Sequence, residues 1–291
     1  MRARTGGAGW RLARQLTPLV LALLVGAIFA TSRSFASATT DPRGATPAPA
    51  FTLDSSWRLV FDDEFDGTAL DRGKWHTQYP WGRDRSSVGE LQWYADDAFT
   101  VQDGLLHITA EHRAMEGHPY TSGLIASWGN FATTYGYFEI RAKLPAGRGL
   151  WPAFWLSPAD YTVWPPEIDV FEVLGQTPGV VAMTTHFADP GTGEAAQDQG
   201  IYLGPNFADD FHTFAVEWTP TEIVWYIDGV ERFSSRTGVP SQPLYLIANL
   251  AVGGPSAGKP DASTPFPSEL EIDYIRVYQQ TAAPCAATPA P

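Results

Sequence analysis

The chain has 291 residues, a formal net charge of −13 at pH 7 and a single cysteine. That length can bury one large core unaided, and one cysteine excludes an internal disulfide framework. The acidic balance argues against nucleic acid and anionic membrane surfaces as partners.

Residues 1–38 read as a secretory signal peptide. Arg2, Arg4, Arg11 and Arg14 make a basic start, Leu16 to Ala30 is an apolar run short for a membrane span, and Ala36-Ser37-Ala38 is a small-residue cleavage site. The expectation is a secreted protein with no stable membrane association after cleavage. An uncleaved anchor is the competing reading. Cleavage removes five arginines and no acid, taking the formal charge from −13 to −18. Residues 39–50 are rich in Pro, Ala and Thr and read as a disordered lead-in, and residues 281–291, with Cys285, read as a Pro/Ala-rich tail. One domain, 51–280, lies between them, without internal repeats.

Its punctuation is that of an all-β protein. Leu106, Ile108 and Ala110 alternate with polar residues, and so do Phe138, Ile140, Ala142 and Leu144. After them comes the stretch with the most chemistry, Trp164-Pro165-Pro166-Glu167-Ile168-Asp169-Val170-Phe171-Glu172-Val173-Leu174-Gly175. It places three carboxylates in six residues of strand-forming sequence. Alternation puts Glu167 and Asp169 on one face of a strand and Glu172 on the other. A β-bulge at Val170-Phe171 would bring Glu172 alongside them. The bulged spacing sets Glu167 and Glu172 roughly 13 Å apart at Cα, a gap that two long side chains can largely close.

Three acids on one face raise one another's pKa. A solvated outer face of an edge strand is the plain reading. A metal cluster usually brings Asn or His nearby, and this run has neither. The functional reading is a paired-carboxylate glycosidase site. Retaining enzymes need two carboxyls about 5 Å apart, one as nucleophile and one as acid/base.

Further on, Phe214, Val216 and Trp218 share a face, Ile223, Trp225 and Ile227 share another, and Asp228-Gly229 signals a hairpin turn. Gly254-Pro255-Ser256-Ala257-Gly258 fits a nucleophile-elbow pattern, but that motif needs a helix after the serine. Here Lys259-Pro260 follows. The strands together point to two stacked antiparallel sheets.

Glu167-Ile168-Asp169-Val170-Phe171-Glu172 resembles the signature of glycoside hydrolase family 16, in the bulged form of laminarinase-like members. The resemblance spans residues 57–279. It includes Phe61 to Gly67, Tyr135 to Glu139, Gly149 to Trp155, Glu217 to Pro220, Trp225 to Gly229, Ala248 to Gly254 and Asp273 to Tyr278. It implies a jelly-roll β-sandwich whose concave sheet forms an open substrate cleft. It also implies Glu167 as nucleophile, Asp169 as its assistant and Glu172 as acid/base.

For substrate contacts it points to Trp151, Trp155 and Trp164, to His186 near the acid/base, and to Asn249, Glu90 and Gln92. Flat aromatics suit the apolar faces of sugar rings. No cofactor is implied for catalysis. One structural calcium is implied, on the side chains of Glu64 and Asp273 and the carbonyl of Gly104. The expected activity is that of a monomeric, secreted endo-β-glycanase on β-1,3 or mixed β-1,3/1,4 glucan.

Three departures loosen the substrate. Leu124 stands where laminarinase-like sequences usually have Arg, Gly254-Pro255-Ser256-Ala257 lacks a usual Trp, and Pro165-Pro166 replaces a Gly. A galactan or a bacterial exopolysaccharide stays open as substrate, and so does transglycosylation. A carbohydrate-binding sandwich without catalysis is the reading from another class.

Overall fold

The computed structural model describes residues 51–281. The expected signal peptide and lead-in lie outside the described residues, as does the tail from residue 282 onward with Cys285.

The strands, in chain order, are β1 (Trp57–Asp63), β2 (Gln92–Tyr94), β3 (Phe99–Gln102), β4 (Leu105–Ala110), β5 (Tyr120–Ser122), β6 (Leu124–Ala126), β7 (Gly136–Lys143) and β8 (Leu150–Pro158). They continue as β9 (Glu167–Val173), β10 (Val180–Ala188), β11 (Ala195–Leu203), β12 (His212–Trp218), β13 (Ile223–Ile227), β14 (Val230–Ser235), β15 (Leu244–Val252) and β16 (Ser268–Gln280). An eight-stranded sheet runs β14-β13-β12-β7-β16-β4-β3, with β1 also on β16. The long β16 serves two neighbours along one edge, β4 through its first residues and β1 through its last. A six-stranded sheet runs β11-β10-β9-β8-β15-β6. This is the all-β sandwich of antiparallel sheets that the alternation implies.

The alternating faces meet between the sheets. Leu106, Ile108, Phe138, Ile140, Phe214, Val216, Trp218, Ile223, Trp225 and Ile227 all belong to one buried cluster. The hairpin between β13 and β14 turns at Asp228 and Gly229, with φ of 52° and 71°. Aspartate tolerates this left-handed conformation, and its carboxylate is held there by the amide of Thr213 at 3.0 Å.

The central strands β8 and β15 of the six-stranded sheet are buried on both faces. Phe154, Leu156, Leu244, Leu246 and Ala248 enter the inter-sheet core. Their neighbours Ala153, Trp155, Tyr245 and Ile247 form a second cluster on the opposite face, with Tyr79 and Tyr94 packed over them. A sheet covered on both sides loses polar alternation, which is why β15 reads as one apolar run. The covering segment, residues 75–97, also forms a wall of the cleft described below.

One turn of helix, α1 (Gly254–Ala257), does form at the elbow-like sequence. Pro255 sits in its first turn, where its missing N–H costs nothing. The helix therefore ends just past Ser256 instead of starting there.

The expected calcium ligands do not fit an ion as they are placed. Both carboxylate oxygens of Glu64 accept bonds from Arg276, at 2.7 and 2.6 Å. Asp273 is paired with Arg141. Gly104 ends the β3–β4 turn beside Asp66. Two guanidinium groups thus hold the charges that a cation would need. Excess chelator should leave the melting temperature unchanged. A fall of several degrees would show that a bound cation takes Glu64 or Asp273 from its arginine.

Candidate active site

The three acids reach one face because β9 carries an extra residue. Across β10, Glu167 faces His186, Asp169 faces Thr184 and Glu172 faces Ala182. Two steps along β10 thus match three along β9. Against β8, Asp169 faces Trp155 while Phe171 faces Phe154, so Val170 is the inserted residue. Val170 and Phe171 both turn into the core, at 2% and 0% exposure. With two successive side chains inward, Glu172 returns to the face of Glu167 and Asp169. The bulge lies where parity places it.

Trp225 anchors the bulge from the other sheet. Its indole N–H donates to the carbonyl of Asp169 at 2.8 Å. Asp169 and His186 lie 3.0 Å apart through Oδ2 and Nε2, and the same nitrogen is 3.7 Å from Glu167 Oε1. The indole of Trp164 donates to Glu167 Oε2 at 3.0 Å.

Burial raises the pKa of Glu167, and the charge of Asp169 adds to it, up to about 7. His186, Arg85 and the Trp164 N–H hold it back. Burial and then Asp169 push Glu172 further, to about 8. Glu172 is the least covered of the three and opens into the cleft, so water screens part of its shift. Burial works to lower the pKa of His186, but its hydrogen bond to Asp169 and the surrounding carboxylates outweigh that, lifting it to about 9. At neutral pH the site therefore holds an imidazolium, the lower-titrating Glu167 and a Glu172 that keeps its proton longest.

Most of the expected site residues converge. Trp151, Trp155, Asn249 and Glu90 line the same cleft as the three acids. Trp155 donates to Asn249 at 2.8 Å, Asn249 donates to Tyr94 at 3.2 Å, and Tyr94 donates to Glu90 at 3.4 Å. The buried indole N–H of Trp151 makes no full hydrogen bond but acts on Glu172, where it works to lower that carboxyl's pKa. Trp164 acts on Glu167 directly instead of lining the cleft wall.

Three expectations need correction. Gln92 is fully buried and does not face the cleft. It is a brace that donates to Glu90 at 2.6 Å and accepts from the amide of Val252 at 2.8 Å. His186 sits at the Glu167 end of the site, not beside Glu172, because β10 pairs it with Glu167. The acids do have a histidine near them, brought by that neighbouring strand. Ligand atoms of Glu167, Asp169 and His186 fall within 4.8 Å of one another. The imidazole, however, is already committed to its hydrogen bond with Asp169.

Tyr79 and Arg85 belong to the site without any motif to mark them, and Trp225 falls in a family-matching stretch that gives it no role at the site. Tyr79 and Arg85 come from the irregular segment before Glu90, and Trp225 reads as an ordinary core position on an alternating strand.

Comparisons with known proteins agree with this geometry. A sequence profile described as Glycosyl hydrolases family 16 matches residues 89–276. An endo-1,3-1,4-beta-glycanase, ExsH, of Rhizobium meliloti (strain 1021) is 39% identical over 244 residues, covering 75% of this chain and 51% of its own. The chain thus spans about half the length of that relative. A beta-glucanase of Rhodothermus marinus is 39% identical over 252 residues, covering 77% of this chain and 85% of its own. Among solved structures, the laminarinase catalytic domain from Thermotoga maritima MSB8 superposes with a TM-score of 0.70 at 36% identity, covering 78% of this chain and 99% of its own.

Proposed function

Because the chain belongs to glycosyl hydrolase family 16, we propose that it is an endo-acting retaining β-glycanase. Its substrate would be internal β-1,3 or mixed β-1,3/1,4 glucan linkages. The observation that carries this reading is the bulged strand β9. It sets Glu167, Asp169 and Glu172 on one wall of a cleft. The glucanase relatives support the substrate class.

The mechanism follows from that arrangement. Ionised Glu167 attacks the anomeric carbon while Glu172 protonates the departing glycosidic oxygen, so the C–O bond breaks without expelling an alkoxide. A glycosyl ester on Glu167 results. Glu172, now ionised, takes a proton from water, whose oxygen attacks the same carbon and releases Glu167. Cationic His186, held in place by Asp169, offsets the charge of Glu167. Trp151 and Trp155 offer flat faces to the sugars.

The test is digestion of a panel of β-1,3-glucan, mixed-linkage glucan, galactan and a bacterial exopolysaccharide. Internal cleavage of a β-1,3-containing glucan, with the β-anomer appearing first, is expected. Cleavage confined to the galactan or exopolysaccharide, or release of the α-anomer, would contradict the reading.

The pH profile should be bell-shaped. Turnover needs Glu167 ionised, so it rises as pH climbs through about 7. It needs Glu172 protonated, so it falls as pH climbs through about 8. The two limbs belong to the interacting pair. Initial rates from acid to alkaline pH would check this, and a flat profile across both values would be inconsistent with it.

A further inference from the structure

The segment before Glu90 carries a cation into the cleft. Arg85 precedes the short turn Ser86–Val88, and its side chain is only 19% exposed. It lines the cleft with the three acids. Its guanidinium lies 5.7 Å from the Tyr79 ring centre and 3.7 Å from the Glu90 carboxylate. A covered guanidinium needs a counter-charge, and Glu90 provides it. That separation is longer than a hydrogen bond, and although the guanidinium also acts on the Tyr79 hydroxyl, a fork of five N–H donors has others to offer a ligand in the cleft.

Position 124, where the family resemblance expects arginine, carries no charge here. Leu124 pairs with Asn249 across the β6–β15 ladder. It is fully buried in the cluster that holds Tyr79 and Tyr94. An apolar side chain there makes a floor for the two tyrosines. Tyr79 in turn carries Arg85 above it.

We propose, resting on the glucanase reading above, that Arg85 replaces a strand-borne arginine as the cation of this site and orients the glucan unit that lies against Glu167. Its positive charge also acts on Glu167 itself, in the direction of ionisation. The other groups facing Glu167 are Asp169 and Glu172 on its own strand and His186 on β10. Tyr245 on β15 completes the set, and the neutral indole of Trp164 donates to Glu167. Of the two cations in this set, Arg85 alone comes from outside the sheet. A planar fork that donates two bonds to adjacent hydroxyls is a task lysine performs poorly.

The test uses Arg85→Met and Arg85→Lys, each also placed in a Glu172→Gln background so that binding is measured without turnover. The readouts are the Kd of a laminari-oligosaccharide and the carboxyl carbon titration of Glu167 followed by NMR with Glu172 intact. Arg85→Met should weaken binding about tenfold or more and raise the titration midpoint of Glu167. Arg85→Lys should keep the midpoint close to wild type while still weakening binding. Adding Leu124→Arg to Arg85→Met should recover part of the affinity. Wild-type affinity in both Arg85 variants, or an unmoved Glu167 midpoint in Arg85→Met, overturns the proposal. These readouts need no catalysis. A wild-type protein that binds the oligosaccharide through Arg85 but cleaves no glucan would defeat the activity reading and leave this one standing.

Discussion

Replacing Glu172 with alanine should cut hydrolysis of unactivated glucan by about 10²–10⁴-fold, the usual scale of general acid–base catalysis. The same variant should still react with a β-glycoside bearing an activated aryl leaving group, because that departure needs no proton. The reaction should then stall at the glycosyl-enzyme, since no base remains to activate water. Azide needs no base and should release a β-glycosyl azide. Glu167→Ala lacks the attacking carboxylate and should form no ester. Azide entering its vacated space should instead displace the activated group directly and give the α-glycosyl azide. Opposite anomers from the two variants would fix the roles. The same anomer from both, or near-normal glucan turnover in either, would remove the division of labour.

The second large effect lies behind the site. Trp225 is fully buried and holds the carbonyl of Asp169 at the bulge. Trp225→Ala should cost about 3–5 kcal/mol for the lost core volume, with a further ~1–3 kcal/mol for the carbonyl left unpaired. At about 2–4 °C per kcal/mol for a domain of this size, the melting temperature should fall by more than roughly 8 °C. Trp225→Phe retains most of the ring and isolates the hydrogen bond. It should lower kcat more than KM, because the acids stay present but lose their fixed spacing. Wild-type melting and kcat in Trp225→Phe would show that the bulge holds its shape without the indole.

Local periodicity made much of this fold legible. The polar and apolar alternation of β4, β7, β12 and β13 marks strands with one wet face, and each falls in the inter-sheet core as expected. The bulge was legible for a related reason. Three acids on a strand have one economical way to share a face, and the two apolar residues between Asp169 and Glu172 can both turn inward.

What escaped the sequence depends on distant contacts. Gln92 looks like a polar cleft residue, yet its oxygen is taken by Val252, 160 positions away. Glu64 and Asp273 look like free oxygen ligands until Arg276 and Arg141 fold against them. Arg85 sits in irregular chain with no period to place it, and only the stacking of Tyr79 over the sheet brings it to the cleft. β11 has no clear alternation because it is a sheet edge, with Leu203 74% exposed.

Peptide mass spectrometry of Glu172→Ala after reaction with an activated aryl β-glucoside of suitable chain length tests the central claim most directly. The glycosyl mass should appear on the peptide containing Glu167 and vanish when Glu167 is also replaced by alanine. A label on peptides that lack Glu167, or no covalent adduct while the aryl group is released, would contradict the double-displacement account.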